Sequence, residues 1–137
     1  MSEENVEIVR RAWDAWQRGD FAELFALYDS EIVYDLTHYR EWPESIYRGH
    51  QGIRQFIDEW LGVWDAYEVG VDDLRLAPDG RVVSLAWQRG RGHVSGLGME
   101  MEWAQIIFVR HGKITRIDNY DDRLKALEAA GLREPHR

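Results

Sequence analysis

A chain of 137 residues with 45% hydrophobic residues and a formal net charge of −8 carries enough apolar material for a core without covalent staples, and it reads as one domain spanning 1–137. The lack of cysteine excludes disulfides, thiolate chemistry and Cys-based zinc sites, and the acidic balance argues against a phosphate-binding groove, so no nucleic-acid partner is expected. No long apolar run occurs and the opening MSEENVEIVRR is acidic and polar, so no membrane contact is expected and the expected compartment is the cytoplasm.

Val6, Val9, Ala12, Trp13 and Trp16 recur at spacings of three and four between charged residues, which predicts an amphipathic helix over Asn5–Arg18 that ends at Gly19. Asp20 is placed to cap a second helix, with Glu23 completing a capping-box-like pair and Leu24, Leu27 and Tyr28 inside, until Asp29-Ser30 stops it. Glu31–Leu36 alternates as a strand. The aperiodic stretch Thr37–Arg48, with Pro43 and the aromatic residues His38, Tyr39, Trp42 and Tyr47, reads as a loop able to cover something.

From Gly49 to Ala66, Ile53, Phe56, Ile57, Trp60 and Trp64 share one face of a third helix. Strands follow at Tyr67–Leu76 and Arg81–Arg91, joined by the turn Ala77-Pro78-Asp79-Gly80. Gly90, Gly92, Gly96 and Gly98 punctuate the next bend, and with no helix after them they do not read as a phosphate loop. Met99–Arg110 and Ile114–Tyr120 then form a long antiparallel hairpin through Gly112. In its first strand Met99, Met101, Trp103, Gln105, Ile107 and Val109 are expected to face inward, with Ala104, Ile106 and Phe108 outward. In the second, Ile114, Arg116, Asp118 and Tyr120 alternate with Thr115, Ile117 and Asn119. A short helix from Asp121, with Leu124, Leu127 and Ala130 on its inner side, ends at Gly131 before a charged, solvated tail.

The order helix, helix, strand, loop, helix and four strands, with WQRGDFAELFALYDSEIVYDL, YRGHQGIRQFIDEW and VRHGKITRIDNYDDRLKALEAAG, resembles the nuclear transport factor 2-like superfamily over almost the whole chain. Within it the chain is most similar to the SnoaL-like polyketide cyclase group. The resemblance implies an α+β cone: a curved, mostly antiparallel (mixed) sheet wrapped around N-terminal helices, with an internal pocket. It carries catalytic residues over only in part. Epoxide hydrolases of this fold hold water with a Tyr and an Asn on the first strand; here Tyr34 matches the first and Leu36 replaces the second. Their Arg and Asp fall on Trp87 and Arg89, and their last-strand Asp falls on Asn119, which argues against epoxide hydrolysis. Against ketosteroid isomerases, Asp35 lies one residue from the base position, Gln105 matches a donor position, and Ala12 stands where a donor Tyr is expected.

Asp35 is the acidic residue best placed for general-base work, with His38 three residues on able to pair with it, although strict alternation puts Asp35 on the opposite side from Tyr34 unless a bulge intervenes. Gln105 and Asn119 share an inward face in adjacent strands, and a buried amide must bond to its neighbour or to a ligand. Arg89, on the side of Leu85 and Trp87, could anchor an anionic or carbonyl-bearing ligand or simply reach solvent. Seven tryptophans in so short a chain suit either a Trp-rich core or a pocket wall, with Trp16, Trp60, Trp87 and Trp103 on the expected inner side. His50, His93, His111 and His136 are scattered without carboxylates at ligand spacing, so no metal is expected, and no cofactor.

These features together suggest a small-molecule pocket protein for an apolar or aromatic ligand. Its activity would be that of a cofactor-free isomerase or cyclase working beside a carbonyl through Asp35 and His38, or it would be a non-catalytic binding protein of the same fold. An outward apolar patch of Ala104, Ile106 and Phe108 suggests a homodimer packed through the sheet, with a covering helix as the alternative.

Overall fold

The computed structural model describes residues 2–39 and 45–132. Trp42 and Pro43 of the expected loop, His136 and the charged tail lie outside the described residues. In chain order the elements are α1 (Ser2–Arg18), α2 (Phe21–Leu27), β1 (Tyr28–His38), β2 (Ile46–Arg48), α3 (Gly49–Val63), β3 (Trp64–Leu76), β4 (Val82–Gly92), β5 (Gly98–Arg110), β6 (Lys113–Tyr120) and α4 (Arg123–Ala129).

The first two helices turn about Gly19, whose φ of +71° is open to glycine and strained for other residues. Gly19 N donates to Trp16 O and Asp20 N to Ala15 O, a Schellman end that hands over directly to the next cap. There Asp20 accepts a bond from Glu23 N at 3.1 Å, as the sequence pattern requires.

Six strands form one curved sheet in the order β2-β1-β6-β5-β4-β3. Every neighbouring pair is antiparallel except β1 and β6, which run parallel. The sheet is therefore mixed and unclosed, an α+β architecture with α1, α2 and α3 gathered on its concave side. Two hydrophobic clusters result. The larger lies between those helices and the concave face and includes Val9, Ile32, Phe56 and Ile107; the smaller lies beneath α4.

Several boundaries differ from the sequence expectation, each for a reason of pairing. The third helix stops at Val63 and not at Ala66, because β4 captures the chain from Trp64 (opposite Gly92) and His93 N bonds Val63 O. Ala66 instead sits at φ 53° where the β3–β4 register slips. The first strand runs on through Thr37 and His38, and Ile46–Arg48 pairs back on it, so the expected loop is flanked by sheet. Between β5 and β6 both His111 and Gly112 have positive φ, which makes the connection a two-residue turn matched to strand twist. One residue later the register shifts, Phe108 facing Arg116 and Val109 facing Ile114. That bulge puts Ile114 on the same face as Ile117 and Asn119, where uniform alternation had placed it with Arg116.

The expected outward apolar patch is covered within the chain. Ala126, Leu127 and Ala130 of the α4 region pack on Val83, Leu85, Ala104, Ile106 and Tyr120. Ala104 and Ile106 are 0% and 1% exposed, so the covering-helix alternative holds and the reason for a sheet-packed homodimer falls away. Leu124, expected on the inner side of that helix, faces out at 54% exposure.

Candidate functional site

The concave face of the sheet, α1 and α3 enclose a cavity of about 70 Å³. Its wall is shared between aromatic and aliphatic side chains, the rings including Trp13 and Trp16 from α1, Tyr34 from β1, Phe56 and Trp60 from α3 and Trp103 from β5. Some rings meet edge to face, Trp13 and Trp103 6.1 Å apart at 61° and Trp60 and Tyr67 5.8 Å apart at 85°, while Phe56 and Trp60 stack at 6.0 Å and 17°. An apolar cavity of roughly 150 Å³ is what admits a benzene ring, so a ring-sized guest requires a wall residue to turn. A surface groove of about 570 Å³ adjoins the cavity, and Trp16, Tyr67 and Val69 border both spaces.

Two polar clusters interrupt this wall. In the first, Gln105 and Asn119 face each other across β5 and β6. Gln105 Nε2 donates to Asn119 Oδ1 at 2.9 Å and, more weakly, to Tyr34 Oη at 3.4 Å, while Asn119 Nδ2 donates to the Asp35 carbonyl at 3.1 Å. Burial pushes the Tyr34 phenol well above its ordinary pKa, so it remains a neutral donor. In the second cluster Tyr67 Oη donates to Gln88 Oε1 at 2.6 Å, Gln88 Nε2 to Tyr39 Oη at 2.9 Å, and Tyr39 Oη to Met101 Sδ at 3.2 Å. Burial likewise raises the pKa of Tyr67.

Of the residues expected from sequence, Trp16, Tyr34, Trp60, Trp103, Gln105 and Asn119 line the cavity together. Asp35 and His38 do not. The register shifts of β1 against β6 fall before Val33 and after Asp35, and from Val33 to Asp35 the pairing is continuous, so Asp35 alternates with Tyr34 onto the convex face, opposite Asp118 on β6. There its carboxylate takes Thr37 N at 2.8 Å, Thr37 Oγ1 at 2.6 Å and an ion pair from Arg116, whose Nε binds Asp118 at 2.7 Å. Burial works against the Asp35 charge, but the two Thr37 bonds and Arg116 outweigh it and hold the carboxyl below its usual range. For Asp118 burial wins over Arg116, and its pKa is raised. His38 is exposed and stacks flat on Tyr120, 4.4 Å between centroids.

Trp87 and Arg89 are also corrections. The inward residues of β4 are Ala86 and Gln88, along with Ser84, which accepts the Trp13 Nε1 bond. Leu85, Trp87 and Arg89 therefore point to the convex side. Trp87 lies across Gly70 on β3, where a Cβ would come within 2.5 Å of its ring, and it also borders the surface groove. Arg89 pairs with Glu68 and lies 5.3 Å over the Trp87 ring. The second polar cluster was not expected from sequence, because Gln88 stands between Trp87 and Arg89 and shares its row with Ser84, so no apolar run singles it out as one does Gln105. Among the described residues no three His, Asp or Glu side chains are grouped to hold a metal ion.

No curated protein matches the sequence significantly. Solved structures do. An NTF2-like protein from Burkholderia xenovorans LB400 is 28% identical, with a TM-score of 0.73 over 95% of this chain and 97% of that one. TerC co-crystallised with polyporic acid is 17% identical (TM-score 0.72, 93% and 98% covered). A protein provisionally named a polyketide cyclase from Xanthomonas campestris pv. campestris is 20% identical (TM-score 0.70, 94% and 98% covered). The SnoaL-like domain family matches residues 9–117, most of the chain from α1 to β6, and the chain belongs to that family.

Proposed function

We propose that the cavity takes up a small, largely apolar aromatic molecule, and that binding rather than acid–base catalysis is its task. The observation that carries this reading is the chemistry of the wall: aromatic and aliphatic side chains, amides and phenols, and among the described lining residues no Asp, Glu, His, Lys or Arg. A group that removes a proton from carbon has to reach it directly or through one water, and neutral phenols and amides are poor bases. Membership of the SnoaL-like family, and a structural neighbour crystallised with polyporic acid, support a ligand of aromatic type.

A second reading, a cofactor-free isomerase or cyclase, is favoured by the name of the Xanthomonas neighbour and by Tyr34 beside Gln105. A neutral phenol there would hold a carbonyl oxygen as it gains enolate character, with water taking the proton.

One experiment separates the two. Acetophenone is titrated into the protein in D2O while proton NMR follows both the protein and the probe's methyl group. The binding reading expects saturable shifts at cavity residues and methyl exchange no faster than in buffer. Accelerated exchange that Tyr34→Phe abolishes would establish the enzymatic reading, and no saturable shift at millimolar probe would overturn the cavity as a ligand site.

A further inference from the structure

Trp103 stands on the cavity wall at 7% exposure, and its Nε1–H has no acceptor among the described residues. The contrast with Trp13 is informative. Trp13 Nε1 donates over 2.9 Å to Ser84 Oγ, a hydroxyl that is itself completely buried. The fold thus provides a partner for one cavity indole and none for the one packed edge to face against it. Nothing on the neighbouring strand supplies it either, since Ala86 lies directly opposite Trp103. Trp64 Nε1 is also unmatched, but Trp64 is not part of the cavity wall. Buried donors without partners are rare, because the hydration they lose is not recovered.

Water does not reach that N–H while the wall stands as it does; the turn of a wall residue that admits a ring-sized guest is what uncovers it, and the guest then has to bring an acceptor of its own. The sign of the guest is constrained too. With no Lys or Arg among the described lining residues, an anion would be stripped of water without a counter-charge.

The geometry points to Trp103 Nε1–H as a hydrogen-bond donor of the ligand site, selecting a neutral aromatic molecule that carries a ketone, ester or quinone oxygen. This inference rests on the cavity being a ligand site, and it deepens that reading by naming the group that chooses among aromatic guests. Its structural competitor is an N–H resting on the face of a neighbouring ring, Trp13 or Tyr39.

The test uses two probes of the same shape, acetophenone and α-methylstyrene, in which C=CH2 replaces C=O, with benzoate as the anionic arm. Affinities are measured by NMR titration on the full chain and on Trp103→Phe, which keeps an aromatic ring and removes the N–H. Trp103→Phe is expected to weaken acetophenone about fivefold relative to its effect on α-methylstyrene, the size of one neutral hydrogen bond. In the unaltered protein, acetophenone should move the Trp103 indole proton downfield and α-methylstyrene should not, a readout that stands even if the variant fails to fold. Benzoate should show no saturation where acetophenone does. Equal effects of the substitution on both neutral probes, or an indole proton unmoved by bound ketone, would overturn the donor role while leaving the cavity a ligand site. Benzoate binding as well as the ketone would overturn the selection for neutral guests, and no binding by any probe would overturn both readings.

Discussion

Gln105 and Asn119 face each other across β5 and β6, and the amide of one donates to the carbonyl oxygen of the other at 2.9 Å. The pair is a structural joint as well as cavity wall: Asn119, with 0% exposure, passes the connection on to the Asp35 backbone. Replacing Gln105 by Leu strips Asn119 Oδ1 of its donor in a buried setting. Gln105→Leu is expected to lower unfolding free energy by about 1–3 kcal/mol in a urea titration. A variant as stable as the parent would mean that solvent, and not Asn119, is what this amide mainly serves.

The convex face supplies a prediction in pH. Asp35 has its folded pKa depressed, so its contribution to stability is present above its unfolded pKa of about 3.9 and is lost as pH falls through the folded value. Asp118 is shifted the other way, so its contribution is present below the unfolded pKa and is lost as pH rises through the folded value. Asp35→Asn should therefore flatten the fall in urea midpoint on acidification below about pH 4, and Asp118→Asn should remove a gain in midpoint that the parent shows as pH is lowered toward about 4 from above. Parallel effects of the two substitutions would contradict the opposite net shifts assigned to the two carboxyls.

Gly70 and Trp87 are coupled by space. A methyl group at Gly70 would meet the indole at 2.5 Å, and moving a large ring off a paired strand is expected to cost about 1–3 kcal/mol. Gly70→Ala should lose much of that penalty in the Trp87→Ala background, where the obstacle is gone. Additive losses in the double variant would show that the strain lies in the β3 backbone instead.

Trp16 borders both the enclosed cavity and the outer groove. Trp16→Ala is expected to join the two spaces and raise the association rate of acetophenone, measured by NMR line shape, at a stability cost on the order of 2 kcal/mol. An unchanged rate would place the entrance elsewhere on the wall.

A charge beneath α4 tests what that helix does. Leu127 is 1% exposed against Ile106 and Ala104, and Leu127→Asp should lift the helix from the sheet and expose their apolar surface. Sedimentation is expected to show larger species for this variant than for the parent at equal concentration; an unchanged distribution would mean that α4 stays docked or that the patch is harmless.

Much of the fold was legible in the chain because its punctuation is local. Gly19, the Asp20–Glu23 cap and the His111-Gly112 turn act within a few residues, and the structure uses each of them as a terminus or a turn. The inner face of β5 could be read as well, since Gln105 breaks an apolar row. The facing of β4 could not be read. Its alternate residues Val83, Leu85 and Trp87 are as apolar as Val82, Ser84, Ala86 and Gln88, because α4 buries part of the convex side too. Period alone does not tell which of two covered faces is concave. The alternation at Asp35 held because the irregularities of β1 lie before Val33 and after Asp35, and a further bulge formed at Thr115, where the sequence has no glycine to announce it.

The single parallel pairing, β1 with β6, sets an order of assembly. Strands β3 to β6 follow one another as a meander and can zip through short turns, whereas the segment β2-β1 joins the sheet only along the edge of β6. On a ribosome the first strand made is thus among the last to find its place, held in waiting until about 80 further residues have emerged and closed the longest loop in the sheet.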